Sequence, residues 1–350
     1  MGKVTRVGIV LPESHYGNEE WKNSENALKY ADEVARKGAQ LVVFPEGYPG
    51  PATGPLHPKE LSYRPIEALC EKAKERKVYI AAGDVEENPS MPETYFLSLH
   101  LISPEGKIIA KYRRLQPDTP PLNAYLYNGK AHLLPGREFV VKDTPLGKVG
   151  LQICSELWVP EICRINMLKG AEILLSPVHG LHSKTMYDPK RVRDTWRCVA
   201  RARAAENSLY VVVTQNFYIS KGIGLDVEIM AGAFVAGPEE MVAHTEEPGV
   251  LIADLDMGRL EYIRSRNYDE ENLSKPEDGK AFKPLGCRPG QIWERNPKLY
   301  EELTKPHKYS YNYHYFDEDL DAWIKEYDKI YGGKYRRILD KYGKLRFVKH

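Results

Sequence analysis

Nothing in the 350 residues approaches 18 consecutive apolar residues, so no membrane-spanning helix is expected. The start, Met1-Gly2-Lys3-Val4, reads as the edge of a strand and not as a signal peptide. An excess of one charge is also missing. Fifty basic residues face 49 acidic ones and no like-charged block dominates, which argues against nucleic acid as a partner. Cysteine is scarce, at five, and the odd number without paired spacings excludes a disulfide scaffold and points to a reducing cytoplasm. There is no HExxH, no paired CxxC, no glycine-rich phosphate loop, and no ligand spacing between Cys154 and Cys163, so neither a metal nor an organic cofactor is expected. Internal repeats and low-complexity tracts are absent. What is present is 42% hydrophobic and 28% charged residues, the balance of a soluble globular protein with one large α/β domain or two ordinary ones. Tyrosine is in excess, at 23, and ten of these lie after residue 267.

The first 265 residues alternate strand-like and helix-like segments. Val4–Leu11 is a β-branched run, and Ala27, Leu28, Ala31, Val34 and Ala35 recur at helical spacing up to Gly38. Gln40–Phe44, Val78–Gly83, Tyr95–Ile102 and Lys107–Tyr112 read as strands, the last two joined by the turn sequence Ser103-Pro104-Glu105-Gly106. Helices are expected at Ile66–Lys77, Pro160–Lys169 and Arg191–Asn207. Further strands are expected at Lys148–Ile153, Glu172–Leu175, Leu209–Thr214, Met230–Ala236, Glu240–His244 and Val250–Asp254. Continuous Val/Ile/Leu strands among helices imply sheets covered on their outer faces. After Arg266 the periodicity fades until Leu320, Trp323, Ile324, Tyr327, Ile330 and Tyr331, which mark an amphipathic helix. Residues 267–350 lack a core-sized set of aliphatics and read as an arm on the main body or on another subunit.

Three polar residues follow strands, where open α/β sheets present their sites. Glu46 follows Leu41–Pro45, Lys111 follows Ile108-Ile109-Ala110, and Cys154 follows Val149–Ile153. Singly, each has an ordinary explanation as a surface turn, a solvated lysine or a small buried thiol. Together they make a chemical unit. A thiol with a pKa of about 8.5 is scarcely ionised at neutral pH and needs a base or a cation beside it. Glu46 is suited to take the thiol proton and later to deprotonate water, and Lys111 to hold the thiolate and stabilise an oxyanion. His179 and His182, after the Leu174–Pro177 strand end, are candidates for the same cleft.

These segments, with Lys111-Tyr112-Arg113-Arg114, Cys154-Ser155-Glu156-Leu157-Trp158-Val159-Pro160-Glu161, Gly170–Pro177 and Arg201–Asn207, resemble the carbon–nitrogen hydrolase (nitrilase) superfamily over roughly residues 3–266. The resemblance implies a four-layer αββα sandwich with two central mixed sheets. It implies Glu46 as general base, Lys111 as electrostatic stabiliser, Cys154 as nucleophile and the Ser155 backbone N–H as an oxyanion donor, with no cofactor. Residues 1–266 would form the catalytic domain and 267–350 an extension.

One departure concerns the loop 113–136. Many family members carry a second glutamate there, whereas this loop has none; Asp118 is its only carboxylate, and the usual position falls near Asn128 or Gly129. Tyr125, Tyr127 and His132 are alternative hydrogen-bonding groups. Nitrile-cleaving members typically place Trp after the cysteine, where Ser155 stands. Carbamoyl-amino-acid members tend to place arginines where Leu157 and Trp158 stand, and aliphatic amidases and formamidases share the acidic residue at Glu156. Glu156 is equally explained as a charge favoured by a helix N-terminus, and Tyr48 and Trp158 as either pocket walls or core. The expectation is a cytoplasmic, homo-oligomeric hydrolase of a small amide. A nitrile or N-carbamoyl hydrolase with the same triad, and a silent binding protein that kept the fold, stand as alternatives.

Overall fold

Each strand near the chain's start alternates between two buried surfaces, and this alternation generates the layers. In Val4–Leu11 the side chains of Val7, Ile9 and Leu11 enter the core between two sheets, while Val10 faces a layer of helices. Leu41 and Val43 repeat the pattern against Val42 and Phe44, and Ala81 against Ile80 and Ala82. The structure is a computed structural model. It describes residues 3–15, 17–50, 64–88, 91–116, 125–126, 131–180, 188–218, 232–265, 287, 292, 294–305, 329, 335–339 and 345–349.

The first sheet has eight strands. Gly249–Asp256, Val4–Leu11, Leu41–Val43, Tyr79–Glu87 and Thr94–Ile102 lie side by side in that order, with Ile108–Arg113 and the short strands at Ala131–Leu133 and Tyr125–Leu126 beyond. Val4–Leu11, Leu41–Val43 and Tyr79–Glu87 run parallel, and the flanking strands make the sheet mixed. The second sheet has six strands, in the order Met241–Thr245, Ala233–Ala236, Tyr210–Val213, Ile173–Leu175, Gly147–Leu151 and Val140–Thr144, and its three parallel members are central. Helices Lys22–Arg36 and Pro65–Arg76 cover the first sheet through Ala27, Ala31, Val34, Leu69 and Ala73. Helices Pro160–Leu168 and Pro189–Asn207 close the second through Cys163, Met167, Ala200 and Ala204. The chain is thus α/β, with the expected αββα layering.

Local chemistry sets the helix boundaries. Pro65, Pro160 and Pro189 each sit in a first turn, where the missing N–H costs nothing. The Asp188 carboxylate accepts the Lys190 and Arg191 N–H groups at the start of the longest helix. Several elements differ from expectation. The strand from Tyr79 runs on to Glu87 and the next-but-one reaches Arg113, because Glu86 and Arg113 pair with each other within the sheet. The strand Val140–Thr144 and the helix Met257–Arg264 have no clear sequence signal. In the extension, Ile292 is buried in the main core, and Tyr335–Leu339 pairs antiparallel with Leu345–Lys349. The amphipathic pattern at 320–331 lies outside the described residues apart from 329. Among the described residues no helix is long and apolar enough to cross a membrane.

Candidate active site

The site forms where parallel strands of both sheets end. Beyond Leu41–Val43 the Phe44 N–H still bonds the Ala81 carbonyl at 2.9 Å, and the chain then turns through Pro45-Glu46-Gly47. Gly83 lies directly under that turn, and a Cβ there would meet the Gly47 nitrogen at 2.7 Å. Its N–H holds the Tyr48 carbonyl at 2.9 Å. Glu46 is buried as a result, with 2% of its surface exposed.

In the second sheet the Cys154 N–H donates to the Pro177 carbonyl at 2.8 Å, fastening Cys154 beyond Gly147–Leu151. Cys154 has φ +56, a left-handed conformation costing on the order of 1–3 kcal/mol in a residue with a Cβ. It opens the 3-10 turn Cys154–Trp158. Asn216, past the end of Tyr210–Val213, joins the pieces: its Nδ2 donates to the Glu46 and His179 carbonyls, each at 3.1 Å, and its Oδ1 accepts from Ser14 at 2.9 Å.

The cation beside Glu46 is Arg114. Its Nη1 donates to Glu46 Oε1 at 2.9 Å, Nη2 to Ser155 Oγ at 2.6 Å and Nε to the Gln116 carbonyl at 3.1 Å. Lys111 is not brought to this place. The strand continues to Arg113, so Lys111 is inside it and not at its end, and alternation turns Tyr112 and Arg114 inward and Lys111 outward. There its Nζ donates to Glu86 Oε1 at 2.6 Å, and Arg113 holds the same carboxylate with two bonds of 2.6 and 2.9 Å. Burial alone would raise the Glu86 carboxyl, but Arg113 and Lys111 outweigh it and hold it at about 2. A cavity of about 370 Å³ opens beside Lys111 and Arg113, and neither Glu46 nor Cys154 lines it.

Glu156 is fully buried and accepts four hydrogen bonds. Its Oε2 takes the Tyr112 hydroxyl at 2.8 Å and the Ile153 N–H at 2.7 Å, and its Oε1 takes the Leu115 and Gln116 N–H groups at 2.6 and 3.0 Å. It braces the cysteine turn against the strand end that carries Arg114, which goes beyond the helix-start charge considered for it. Burial pushes its carboxyl above the usual range, against the pull of Arg114 and of these donors.

Tyr48 belongs to the core under the first sheet's helices, stacked on Phe44 at 5.4 Å between ring centres. Trp158 is 43% exposed and lies edge-on to Trp196, outside the site. Ser155 and His179 are at the site, through the Arg114 and Asn216 contacts respectively. Asp118, Asn128, Gly129, Tyr127 and His182 lie outside the described residues, and Tyr125 and His132 are register partners in a short ladder. Arg114, Asn216 and Tyr112 escaped the sequence reading. Alternation from Tyr112 is the signal that reaches Arg114, whereas Asn216 and the brace depend on contacts distant in sequence. No two of the five cysteines are joined, and burial pushes the Cys163 thiol up to about 12. Among the described residues, no three His, Cys, Asp or Glu side chains cluster as a metal site would require.

Buried acid, cation and thiol at the strand ends of a four-layer sandwich define a class of hydrolases, and comparison with known proteins agrees. The carbon–nitrogen hydrolase model matches residues 6–265, so the chain belongs to that family. The chain is 29% identical to omega-amidase NIT2-B of Xenopus laevis over 268 residues, 74% of this chain and 93% of the relative. It is 27% identical to omega-amidase NIT2 of Homo sapiens over 258 residues, 70% of this chain and 86% of that one. Among solved structures it is similar to a carbon–nitrogen hydrolase from Helicobacter pylori, with a TM-score of 0.67 at 22% identity over 87% of this chain and 99% of that one. It is also similar to an amidase of the nitrilase superfamily from Nesterenkonia, with a TM-score of 0.61 at 18% identity over 87% and 98%.

Proposed function

We propose that this chain hydrolyses a non-peptide C–N bond of a small amide through a thioester on Cys154. Glu46 accepts the Cys154 thiol proton, and the sulfur attacks the amide carbonyl carbon to give a tetrahedral adduct. The Ser155 backbone N–H serves its oxyanion. Glu46 returns the proton to the nitrogen as the C–N bond breaks, and ammonia or an amine leaves. Glu46 then deprotonates a water that attacks the thioester; the C–S bond breaks, the carboxylic acid departs and the thiol regains its proton.

One observation carries the reading. Glu46 and a strained Cys154 end strands of two facing sheets, with one buried guanidinium bridging Glu46 to the residue after the cysteine. Support also comes from relatives named as omega-amidases and from a Nesterenkonia amidase solved with the acetamide moiety of fluoroacetamide added covalently to its active-site cysteine. Ammonia release from a panel of small amides, nitriles and carbamoyl compounds is the test. The amides are expected to be turned over, and Cys154→Ala to abolish turnover while the protein stays folded. Undiminished release from that variant contradicts the reading, and activity on nitriles or carbamoyl compounds alone moves the substrate class.

We also infer a cytoplasmic homo-oligomer, dimer or higher, with residues 267–350 as an arm that takes part in assembly. Light scattering on a chain shortened at residue 267 is expected to show a smaller particle than the full chain. An unchanged size rejects the assembly role.

A further inference from the structure

We propose that Arg114, and not a lysine, is the cationic member of the catalytic centre, a positioning residue that fixes Glu46 against the turn of Cys154. The inference rests on the reading given above and deepens it. Arg114 is buried, with 6% of its surface exposed, and its backbone is pinned on both sides. Its N–H donates to the Leu97 carbonyl at 2.9 Å, and its carbonyl accepts the Gly136 N–H at 2.7 Å. The two chains cross so closely there that a Cβ on Gly136 would stand 2.2 Å from the Arg113 carbonyl oxygen. From this anchored backbone the guanidinium reaches a carboxylate of the first sheet, a hydroxyl of the second and a main-chain carbonyl of its own loop.

A planar fork with five donors meets three acceptors in different directions, while an ammonium on a flexible stem is a single point of charge. Lys111 is no substitute: it faces away, bonded to Glu86. Because a guanidinium keeps its proton throughout, every proton transfer in the cycle falls to Glu46, and Arg114 acts by charge and orientation alone. The titratable and charged groups on the elements around Glu46 include, among the described residues, Arg114 and Tyr112 from the strand end, Cys154 and Glu156 from the turn, His179 past Ile173–Leu175, Tyr48 on its own turn, and Asp84 beside Gly83, paired with His100.

The test uses the full chain with two readouts. One is the rate at which iodoacetamide alkylates Cys154, followed by peptide mass spectrometry across the pH range. The other is ammonia release from butyramide. Lys111→Met is expected to stay within about twofold of wild type in both, since its charge is on the other face. Arg114→Met is expected to slow alkylation at neutral pH by roughly tenfold or more and to move its pH midpoint upward, because the thiol is left beside Glu46 without the balancing cation. Arg114→Lys keeps the charge and is expected to keep the midpoint near that of wild type, with kcat reduced by roughly tenfold or more and KM little changed.

Wild-type alkylation rate and profile in Arg114→Met overturn the proposal. So does wild-type kcat in Arg114→Lys, or a Lys111→Met variant as inactive as Cys154→Ala. If Arg114→Met fails to fold, the other two variants still decide. Ammonia release that survives in Cys154→Ala sinks the hydrolase reading itself, whereas an inactive Cys154→Ala beside an unaffected Arg114→Met sinks this inference alone.

Discussion

Glu156 carries four hydrogen bonds on a carboxylate with no exposed surface, and they connect the cysteine turn to the strand end that bears Arg114. An acceptor-only group suits this place because all four partners are donors. In Glu156→Gln an amide NH2 replaces one oxygen and faces donors, leaving buried groups unsatisfied. The expected loss is about 2–4 kcal/mol in urea unfolding, accompanied by slower turnover because Cys154 and Arg114 are no longer held together. Wild-type stability in that variant contradicts the brace. At this scale the sequence is legible in part. Glu46 and Cys154 stand out because each is a polar residue directly after an apolar strand, in segments that resemble a known family. The cation is harder to read: Lys111, Arg113 and Arg114 lie within four residues, and choosing among them requires the inward face of a strand whose apolar residues do not alternate cleanly. Glu156 looks like an ordinary helix-start charge until its partners at Tyr112, Leu115 and Gln116 are known.

Three neighbouring strands of the first sheet meet in a charged cluster around Glu86. Glu86 on Tyr79–Glu87 takes Lys111 and Arg113 from Ile108–Arg113 and the Ser98 hydroxyl from the strand between them. Its carboxyl is held at about 2 against an ordinary value of 4.5. A depressed carboxyl pKa adds stability that is fully present above the unfolded value and is lost as pH falls through the folded one. Glu86→Gln is therefore expected to cost on the order of 1–2 kcal/mol at neutral pH and progressively less as pH falls from 4.5 toward 2. Urea midpoints at pH 7 and at low pH check this, and an equal gap at both contradicts it. The same cluster explains a missed boundary. Charged residues at strand ends mimic the start of a loop, so the sequence expectation stops short of Glu86 and Arg113. Elements with long apolar runs, such as Val4–Leu11, or capped helical periods, such as Pro189–Asn207, are legible within a residue or two. The two-residue strands, the short Ala131–Leu133 and the polar Val140–Thr144 carry too little local signal and are fixed by pairing with neighbouring strands, whereas the three-residue Leu41–Val43 and Ile173–Leu175 are legible as apolar runs.

At the scale of the whole molecule, two sheets pack face to face and each donates strand ends to one site, Glu46 and Arg114 from the first and Cys154 from the second. Continuous apolar strands among helices make the α/β class readable from the pattern, whereas the four-layer arrangement is what the family resemblance implies. The extension is different. Its aromatic residues announce an addition without saying where it packs, and Ile292 in the main core shows that part of it belongs to the catalytic body. A thioester on Cys154 that Glu46 helps both to form and to cleave is detected by mass spectrometry of the full chain quenched in acid during turnover of a small amide. An added acyl mass is expected on the peptide containing Cys154, and none in Cys154→Ala or in Glu46→Gln, where no carboxylate takes the thiol proton. An amide turned over at the wild-type rate by Glu46→Gln, or an adduct on any other residue, contradicts it.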